Sequence, residues 1–380
     1  VSVVFDNLLP DSDQLRRLVA EKVGAAGTDA YSLLTAIGHD CIGALQFIPE
    51  NMANNISPDT TAISGEAVDQ EAIERLLKGL EQAPLGLSRD DDFRISIAGA
   101  QEKTALLRYQ DQWLKPHGTT PTTHIFKTQI GRLPNGIDLS NSVENEYYCL
   151  KLAALCGLPV NKAEIQTFGG INALVVERFD RKWTKDNRLL RLPQEDFCQA
   201  LSISPTLKYQ NQGGPSLIQM LKFLTGSDTP AKDQSRLLKA QILFWLIGAT
   251  DGHAKNFSLF LAPGGRFTMT PLYDILTSQP SLDLRQIEQK QMKLALSVGH
   301  NNHYKFGDVQ GRHFSQTAEA ANLSKSLARD AMEDVSEKLC KAIETIETSL
   351  PPGFPENVHE SVKSAALKRV TTLRNEKINS

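Results

Sequence analysis

The chain lacks any pair of cysteines at C-x-x-C spacing. Its five cysteines, Cys41, Cys149, Cys156, Cys198 and Cys340, are odd in number and scattered. That argues against a zinc ribbon or a disulfide framework and fits a reducing compartment, so a cytoplasmic location is expected. It has no run of about 18 apolar residues, the length a membrane-spanning helix needs, and no membrane is expected among its partners. An excess of one charge sign is also missing. Lys and Arg total 41 against 44 Asp and Glu, a formal charge of −3, which gives no chain-wide pull toward nucleic acid or anionic lipid. No charged-then-apolar leader opens the chain, so no secretory signal is expected. It starts at Val1 rather than Met, from which a missing N-terminal piece is expected. No internal repeat and no low-complexity segment stands out.

What is present is ordinary globular composition, 41% hydrophobic and 22% charged over 380 residues, long enough to call for two or three sub-domains. Residues 1–88 read as an α/β piece. Asp11 and Ser12 can cap a helix from Gln14 to Val23 that Gly24 stops, Gly43–Ile48 is strand-like, and Asp69 can cap a helix with Ile73, Leu76, Leu77 and Leu80 on one face. Residues 89–180 read as a β-rich lobe. Its expected strands are Phe93–Ala98, Thr104–Tyr109, His124–Lys127, Ala163–Thr167 and Ala173–Glu177, with one helix inserted over Val143–Leu155. That order is not a regular βαβ alternation, which disfavours a Rossmann-type sheet. Residues 181–380 are dominated by helices. One of them, Lys232–Ile247, is apolar nearly all round and belongs at the centre of its lobe.

The densest polar segment follows that helix directly: Gly248-Ala249-Thr250-Asp251-Gly252-His253-Ala254-Lys255-Asn256-Phe257-Ser258. A strand, the tight turn Ala262-Pro263-Gly264-Gly265 and a second strand then lead to Leu272-Tyr273-Asp274. A hairpin returns its ends to one place, so Asp251, Asn256 and Asp274 are expected to cluster. Phosphoryl transfer needs one carboxylate to orient and deprotonate the attacking hydroxyl, and hard oxygen ligands for magnesium. Asp251 and Asn256 have the spacing of the base and the metal-binding Asn in kinase catalytic loops, and Asp274 stands where the second metal-binding Asp belongs. The string alone also reads as a plain polar loop. His253 alone reads as a structural hydrogen-bonder. A metalloenzyme would want further His or carboxylate ligands at short spacing, and none are there.

Three more parts are needed upstream. Ser96-Ile97-Ala98-Gly99-Ala100-Gln101-Glu102-Lys103 lies between strand-like runs, and its small residues let backbone N–H groups approach phosphate oxygens. With a single Gly it is no Walker loop, and by itself it suits an ordinary hairpin turn. Lys127, ending a strand, is placed to meet the α/β-phosphates, with Glu146 or Glu144 on the next helix as an ion-pair partner. The apolar strand Ala173–Glu177, continued by Arg178, Phe179, Asp180 and Arg181, turns polar at a lobe boundary. It suits an adenine-binding hinge, with Asp180 near the ribose, as well as a core strand leaving its sheet.

In this order, Phe93–Lys103, Glu177-Arg178-Phe179-Asp180-Arg181 and Asp251–Ser258 closely resemble the HipA family, the kinase toxins of bacterial toxin–antitoxin pairs. Phe5–Pro10, Arg191–Asp196 and Pro271–Asp274 are similar to further landmarks of that family, and the likeness runs over essentially the whole chain. It implies an α+β, two-lobed protein-kinase-like fold related to the phosphoinositide-3/4-kinases, with a start inside the N-terminal sub-domain. Residues 89–180 would then be the ATP-binding lobe and 181–380 the catalytic one. The resemblance implies ATP and Mg2+ as cofactors. Asp251 would be the base, and Asn256 and Asp274 the metal ligands. The ATP contacts would be Ala98, Gly99, Ala100, Gln101, Glu102, Lys103, Lys127, Glu177, Arg178, Phe179, His253, Lys255, Asn256, Tyr273 and Asp274. Ser96 matches the autophosphorylated serine, whose phosphate would bring roughly −1.5 to −2 charges to a loop that must receive ATP.

Implied partners are a HipB-like helix-turn-helix antitoxin, operator DNA and the protein substrate glutamate–tRNA ligase. DNA contact is expected mainly through the antitoxin, because Lys305, Arg312, Lys325 and Arg329 are diluted by Glu319 and Asp330. Two alternatives stand beside the protein kinase: a non-catalytic co-repressor bound to antitoxin and DNA, and a small-molecule kinase of similar fold. Phosphate release from ATP separates the first alternative, and the acceptor of labelled phosphate separates the second.

Overall fold

The computed structural model describes residues 2–50, 63–87, 93–99 and 101–376, with side chains as far as Leu373. Local signals give the helices their ends. Ser12 caps the helix Asp13–Val23 by accepting from the Leu15 N–H at 3.3 Å, and Gly24 closes it at φ +67°. Asp69 caps Gln70–Lys78, and Ser324 caps Lys325–Glu347. In each, a short oxygen-bearing side chain satisfies one of the N–H groups a helix start leaves open.

The chain divides into two units, each discontinuous. One is Val1–Gln129 with Lys162–Thr206, and the other is Ile130–Asn161 with Leu207–Ser380. The expected boundary near residue 88 does not mark a unit edge, because strands on both sides of it pair with each other. Asp40–Cys41 lies parallel to Ile95–Ser96, and Gly65–Val68 pairs with Gln112–Pro116. Nor does residue 180, since strands Arg181–Trp183 and Leu189–Arg191 fall in the first unit.

The first unit is built on a six-stranded sheet in the order Gly65–Val68, Gln112–Pro116, Lys103–Tyr109, His124–Lys127, Ile171–Glu177, Ala163–Phe168. Every described pairing in it is antiparallel. Ile73, Leu77, Trp113, Phe126 and Phe168 form one core cluster, while Leu9, Leu33, Leu34, Phe93 and Ile95 belong to another. Two expected strands come out differently. Phe93–Ala98 is reduced to Ile95–Ser96. Gly43–Ile48 forms no strand: the Gly43 N–H donates to the Asp180 carboxylate at 2.6 Å, so that donor goes to a side chain instead of a ladder.

The second unit is mostly helical. The helix Pro230–Ile247 packs with Lys325–Glu347 and Glu356–Glu376, and Ser142–Leu155 packs with Lys325–Glu347. The inserted helix therefore belongs to the helical unit and not to the sheet that precedes it in sequence. Pro230–Ile247 buries Leu237, Leu238, Ile242, Leu243, Trp245 and Leu246 together, as its all-round apolar character requires. It ends at Gly248, whose φ of +79° is the left-handed conformation that favours glycine at this position.

Candidate functional site

Gly248 turns the chain out of the buried helix and into the polar loop. The loop is fastened on several sides. The Thr277 hydroxyl donates to the Ile247 carbonyl at 2.6 Å, the Ser278 N–H donates to the Gly248 carbonyl at 2.9 Å, and Thr250 and Ser278 share a hydroxyl hydrogen bond of 2.7 Å. Asn145, on Ser142–Leu155, clamps the same segment with its amide, donating to the Thr277 carbonyl at 2.8 Å and accepting from the Thr277 N–H at 2.9 Å. Gly252 lies against the Phe244 ring so closely that a Cβ would sit 2.5 Å from Cε2.

The hairpin forms as the turn residues predict, from strands Ser258–Ala262 and Arg266–Met269. Its return strand is anchored on the start of Pro230–Ile247. Asp233 accepts from the Met269 N–H at 3.1 Å, and Arg236 donates to the Met269 and Thr270 carbonyls at 3.1 and 2.8 Å. The expected meeting of hairpin ends is observed. Asn256 Nδ2 donates to the Asp274 carbonyl at 3.1 Å, and the Tyr273 hydroxyl donates to the Lys255 carbonyl at 2.7 Å and shares a 2.6 Å hydrogen bond with Ser258. Asp274 has a φ of +58°, a conformation that costs a non-glycine residue about 1–3 kcal/mol and gathers at functional sites.

Asp251 keeps 49% of its side chain exposed. Its Oδ1 accepts a short hydrogen bond from the Tyr209 hydroxyl. His253 is buried, with Nε2 3.9 Å from that same oxygen and its ring edge-on to Tyr209 at 5.0 Å. Lys255 and Asn256 are buried as well. The Asn256 amide is engaged through Nδ2, so its oxygen is the end suited to a cation. With the Asp274 carboxylate it makes a donor set of hard oxygens, which fits magnesium. Tyr209 carried no signal in its own stretch of sequence, and neither did Asn145. Both reach the loop from far along the chain.

In the first unit, Lys103 and Lys127 are both buried and stand directly opposite each other on adjacent strands. Lys103 Nζ donates to the Ala98 carbonyl at 2.7 Å, and Gln101 Nε2 donates to the Thr128 carbonyl at 2.8 Å. Gly99 takes a φ of +112° with no room for a Cβ beside Lys103 Nζ, and its carbonyl accepts from the Asp11 N–H at 3.2 Å. Glu102 is partly buried, and that burial, with the Glu81 charge second, raises its carboxyl above the usual range. Ala100 lies outside the described residues. Ser96 is fully buried (0% exposed) and its hydroxyl donates to the Leu8 carbonyl at 2.9 Å.

The hinge stretch departs from expectation at two side chains. Arg178 is buried and donates through all its N–H groups: to Asp180 at 3.0 and 2.8 Å, to Asp40 at 3.2 Å, to Thr122 at 2.9 Å and to the Cys41 carbonyl at 2.9 Å. Five donors are thereby spent within the protein, and none is left for a nucleotide. Asp180 is equally committed, to Arg178, Arg181 and the Gly43 N–H, which removes it from a ribose. Burial opposes the charged form of Asp40 and Asp180, yet the surrounding guanidinium groups hold both carboxyls well below their usual range. The Glu177 and Phe179 backbone positions are unaffected by this. The Glu177 N–H donates to the Lys162 carbonyl at 2.9 Å, and Glu177 exposes its side chain.

Comparison with known proteins settles the family. The HipA-like C-terminal domain model matches residues 95–343, and the HipA N-terminal domain model matches residues 1–48. The chain belongs to the HipA family. Y4mE of Sinorhizobium fredii, whose name assigns it to the kinases only provisionally, is 36% identical over 78% of this chain and 67% of its own length. The serine/threonine-protein kinase toxin HipA of Shewanella oneidensis is 27% identical over 93% of this chain and 78% of its own. A solved Shewanella oneidensis HipA, in a complex with HipB and operator DNA, has the same fold, with a TM-score of 0.80 at 24% identity over 98% of this chain and 85% of that one. The HipA-family chain described here is thus a serine/threonine protein kinase with a kinase-like α+β fold, as its sequence led one to expect. No described helix is long and apolar enough to cross a membrane.

Proposed function

We propose that this kinase transfers the γ-phosphoryl group of ATP, with magnesium, to a serine or threonine of a protein, and that Asp251 is its base. The observation that carries this reading is Asp251 itself: a half-exposed carboxylate, oriented by the Tyr209 hydroxyl, on a loop pinned to the strained Asp274. In the step proposed, Asp251 takes the proton of the acceptor hydroxyl as that oxygen bonds to the γ-phosphorus. The bond from phosphorus to the β–γ bridging oxygen breaks, and ADP leaves with that electron pair. Asn256 and Asp274 would hold magnesium, which supplies charge stabilisation to the phosphates when bound.

Ala98, Gly99, Ala100, Gln101, Glu102, Lys103 and Lys127 are the proposed phosphate contacts, Glu177 and Phe179 the adenine contacts, and His253, Lys255 and Tyr273 further ATP contacts beside Asn256 and Asp274. The phosphate assignment is supported by the register that sets Lys103 opposite Lys127 on adjacent strands, beside the loop that Gln101 and Gly99 belong to. Ser96 is proposed as a site of self-modification. Its hydroxyl is sealed under Leu8, so phosphorylation requires segment 95–99 to leave its place. The added charge of roughly −1.5 to −2 would keep it from returning to a dry position. A HipB-like antitoxin, operator DNA reached through it, and glutamate–tRNA ligase as substrate complete the proposal. The antitoxin and operator DNA are supported by the partners present in the Shewanella complex, and the ligase by the family resemblance alone.

Incubation of dephosphorylated protein with ATP and magnesium, followed by intact-mass and peptide mass spectrometry, tests this. One added phosphate on Ser96, absent in Asp251→Gln, is the expected result. Glutamate–tRNA ligase added to the same mixture should gain phosphate only with the unsubstituted kinase. Undiminished transfer by Asp251→Gln would reject the base assignment, and phosphate found only on a metabolite would reject the protein-kinase reading.

A further inference from the structure

The helix Lys325–Glu347 ends and the helix Glu356–Glu376 begins at a second cluster of donors, which the reaction does not use. Glu347, His359 and Glu360 each present one donor atom there, and the atoms lie within 4.8 Å of one another. His359 Nε2 stands 3.9 Å from Glu347 Oε2 and 3.6 Å from Glu360 Oε1. Those separations are too long for hydrogen bonds. They match two ligands that share one cation at about 2.0–2.2 Å from each.

His359 is the independent sign of a ligand. The residue is only 4% exposed, and Nε2 has no hydrogen-bond partner, a state that costs a buried polar atom about 1–3 kcal/mol. Its other nitrogen is fixed, with Nδ1 2.9 Å from the Tyr148 hydroxyl, and the fully buried Tyr148 ring packs edge-on to the imidazole at 5.7 Å. Fixing one imidazole nitrogen through a hydrogen bond while the other faces carboxylates is how proteins orient a metal-binding histidine. Lys363 already places a positive charge at this point. Its Nζ lies 3.3 and 3.2 Å from the two Glu347 oxygens and 3.7 Å from Glu360. The ammonium accounts for the carboxylates. It leaves the imidazole nitrogen unexplained, because Nε2 accepts from no donor, the Lys363 ammonium included.

We infer that Glu347, His359 and Glu360 form a binding site for a divalent cation of the zinc class, which displaces the Lys363 ammonium and staples the two C-terminal helices. One imidazole nitrogen with two carboxylate oxygens suits zinc and its first-row neighbours, whereas magnesium and calcium favour all-oxygen sets. Three protein ligands leave the fourth tetrahedral position to water. Glu347 closes its helix, and a cation there meets the negative end of that helix's dipole.

Isothermal titration of the metal-stripped chain with Zn2+, paired with thermal melting, decides the matter. One site and a raised melting temperature are expected. Glu360→Gln should abolish both without unfolding the chain, since Glu360 is 54% exposed, and His359→Gln should do the same. Tyr148→Phe should bind about 10–100-fold more weakly, the usual loss when a histidine's outer hydrogen bond is removed. Lys363→Met should bind more tightly, because the competing cation is gone. Absence of zinc binding, zinc binding that survives Glu360→Gln and His359→Gln, or weaker binding by Lys363→Met would each overturn the site.

Discussion

Two groups of carboxylates in this kinase have opposite surroundings. Asp40 and Asp180, in the first unit, are almost fully buried and are met by Arg178, Arg181 and Arg191 within 3.2 Å. Asp251, in the second, is half exposed, and its described side-chain hydrogen bond comes from a neutral tyrosine hydroxyl. A carboxylate matched by several guanidinium groups is a fixed brace whose proton affinity has been driven down. Such a group is a poor proton acceptor. Asp251 is held by the Tyr209 hydroxyl while half of its side chain stays exposed. Sequence proximity to a motif therefore says little about chemistry: Asp180 and Asp251 both sit in family signature stretches, yet Asp180 is spent on a buried brace while Asp251 stays half exposed.

The sharpest way to break the comparison is Arg178→Met. It leaves Asp40 and Asp180 buried with part of their compensation gone, and a broken buried pair costs about 3–5 kcal/mol. Urea denaturation should show that loss, and a loss below about 1 kcal/mol would mean that Arg181 and Arg191 suffice.

Acid should then probe the buried pair. Because folding depresses the pKa of Asp40 and Asp180, their stabilisation is fully present above the unfolded carboxyl pKa of about 3.9 and is lost as pH falls through their lower folded values. Stability from this source should hold from pH 7 to about pH 4.5, then fall by up to about 1.4 kcal/mol per carboxylate for each further pH unit. Denaturation curves measured down this range check it.

Gly252→Ala tests the reactive side by steric means. A new Cβ would meet the Phe244 ring at 2.5 Å, and such overpacking costs about 1–3 kcal/mol. The loop must shift to accept it, so transfer activity should drop along with melting temperature. A folded variant with full activity would show that the loop tolerates displacement.

Much of this was legible because it is local. Ser12 and Asp69 cap the helices they precede, Gly248 ends the buried helix, and His124–Lys127 is a strand to the residue. The pairing of Asn256 with Asp274 followed from the hairpin between them. What stayed hidden depends on long-range contacts. Arg178 reaches Asp40 across 138 positions, Asn145 reaches Thr277 across 132 and Tyr209 reaches Asp251 across 42. No local period or turn signal encodes such pairs. The assignment of Arg178 to a nucleotide failed for this reason, and the discontinuous make-up of both units was out of reach for the same one.

Tyr209→Phe carries the smallest expected effect and is the most selective probe of Asp251. The substitution keeps the ring that packs against His253 and removes only the hydroxyl that Asp251 accepts. A hydrogen bond to a charged group is worth about 1.5–3 kcal/mol, but the bond is solvent-exposed, so the lower end applies and the rate should fall about tenfold. In the proposed assignment Tyr209 fixes the base rather than the nucleotide. The fall should therefore appear in kcat, with KM for ATP unchanged. If the hydroxyl instead blocks Asp251 and must leave before the acceptor arrives, kcat would rise. The direction of that one change thus decides whether Tyr209 positions the base or guards it.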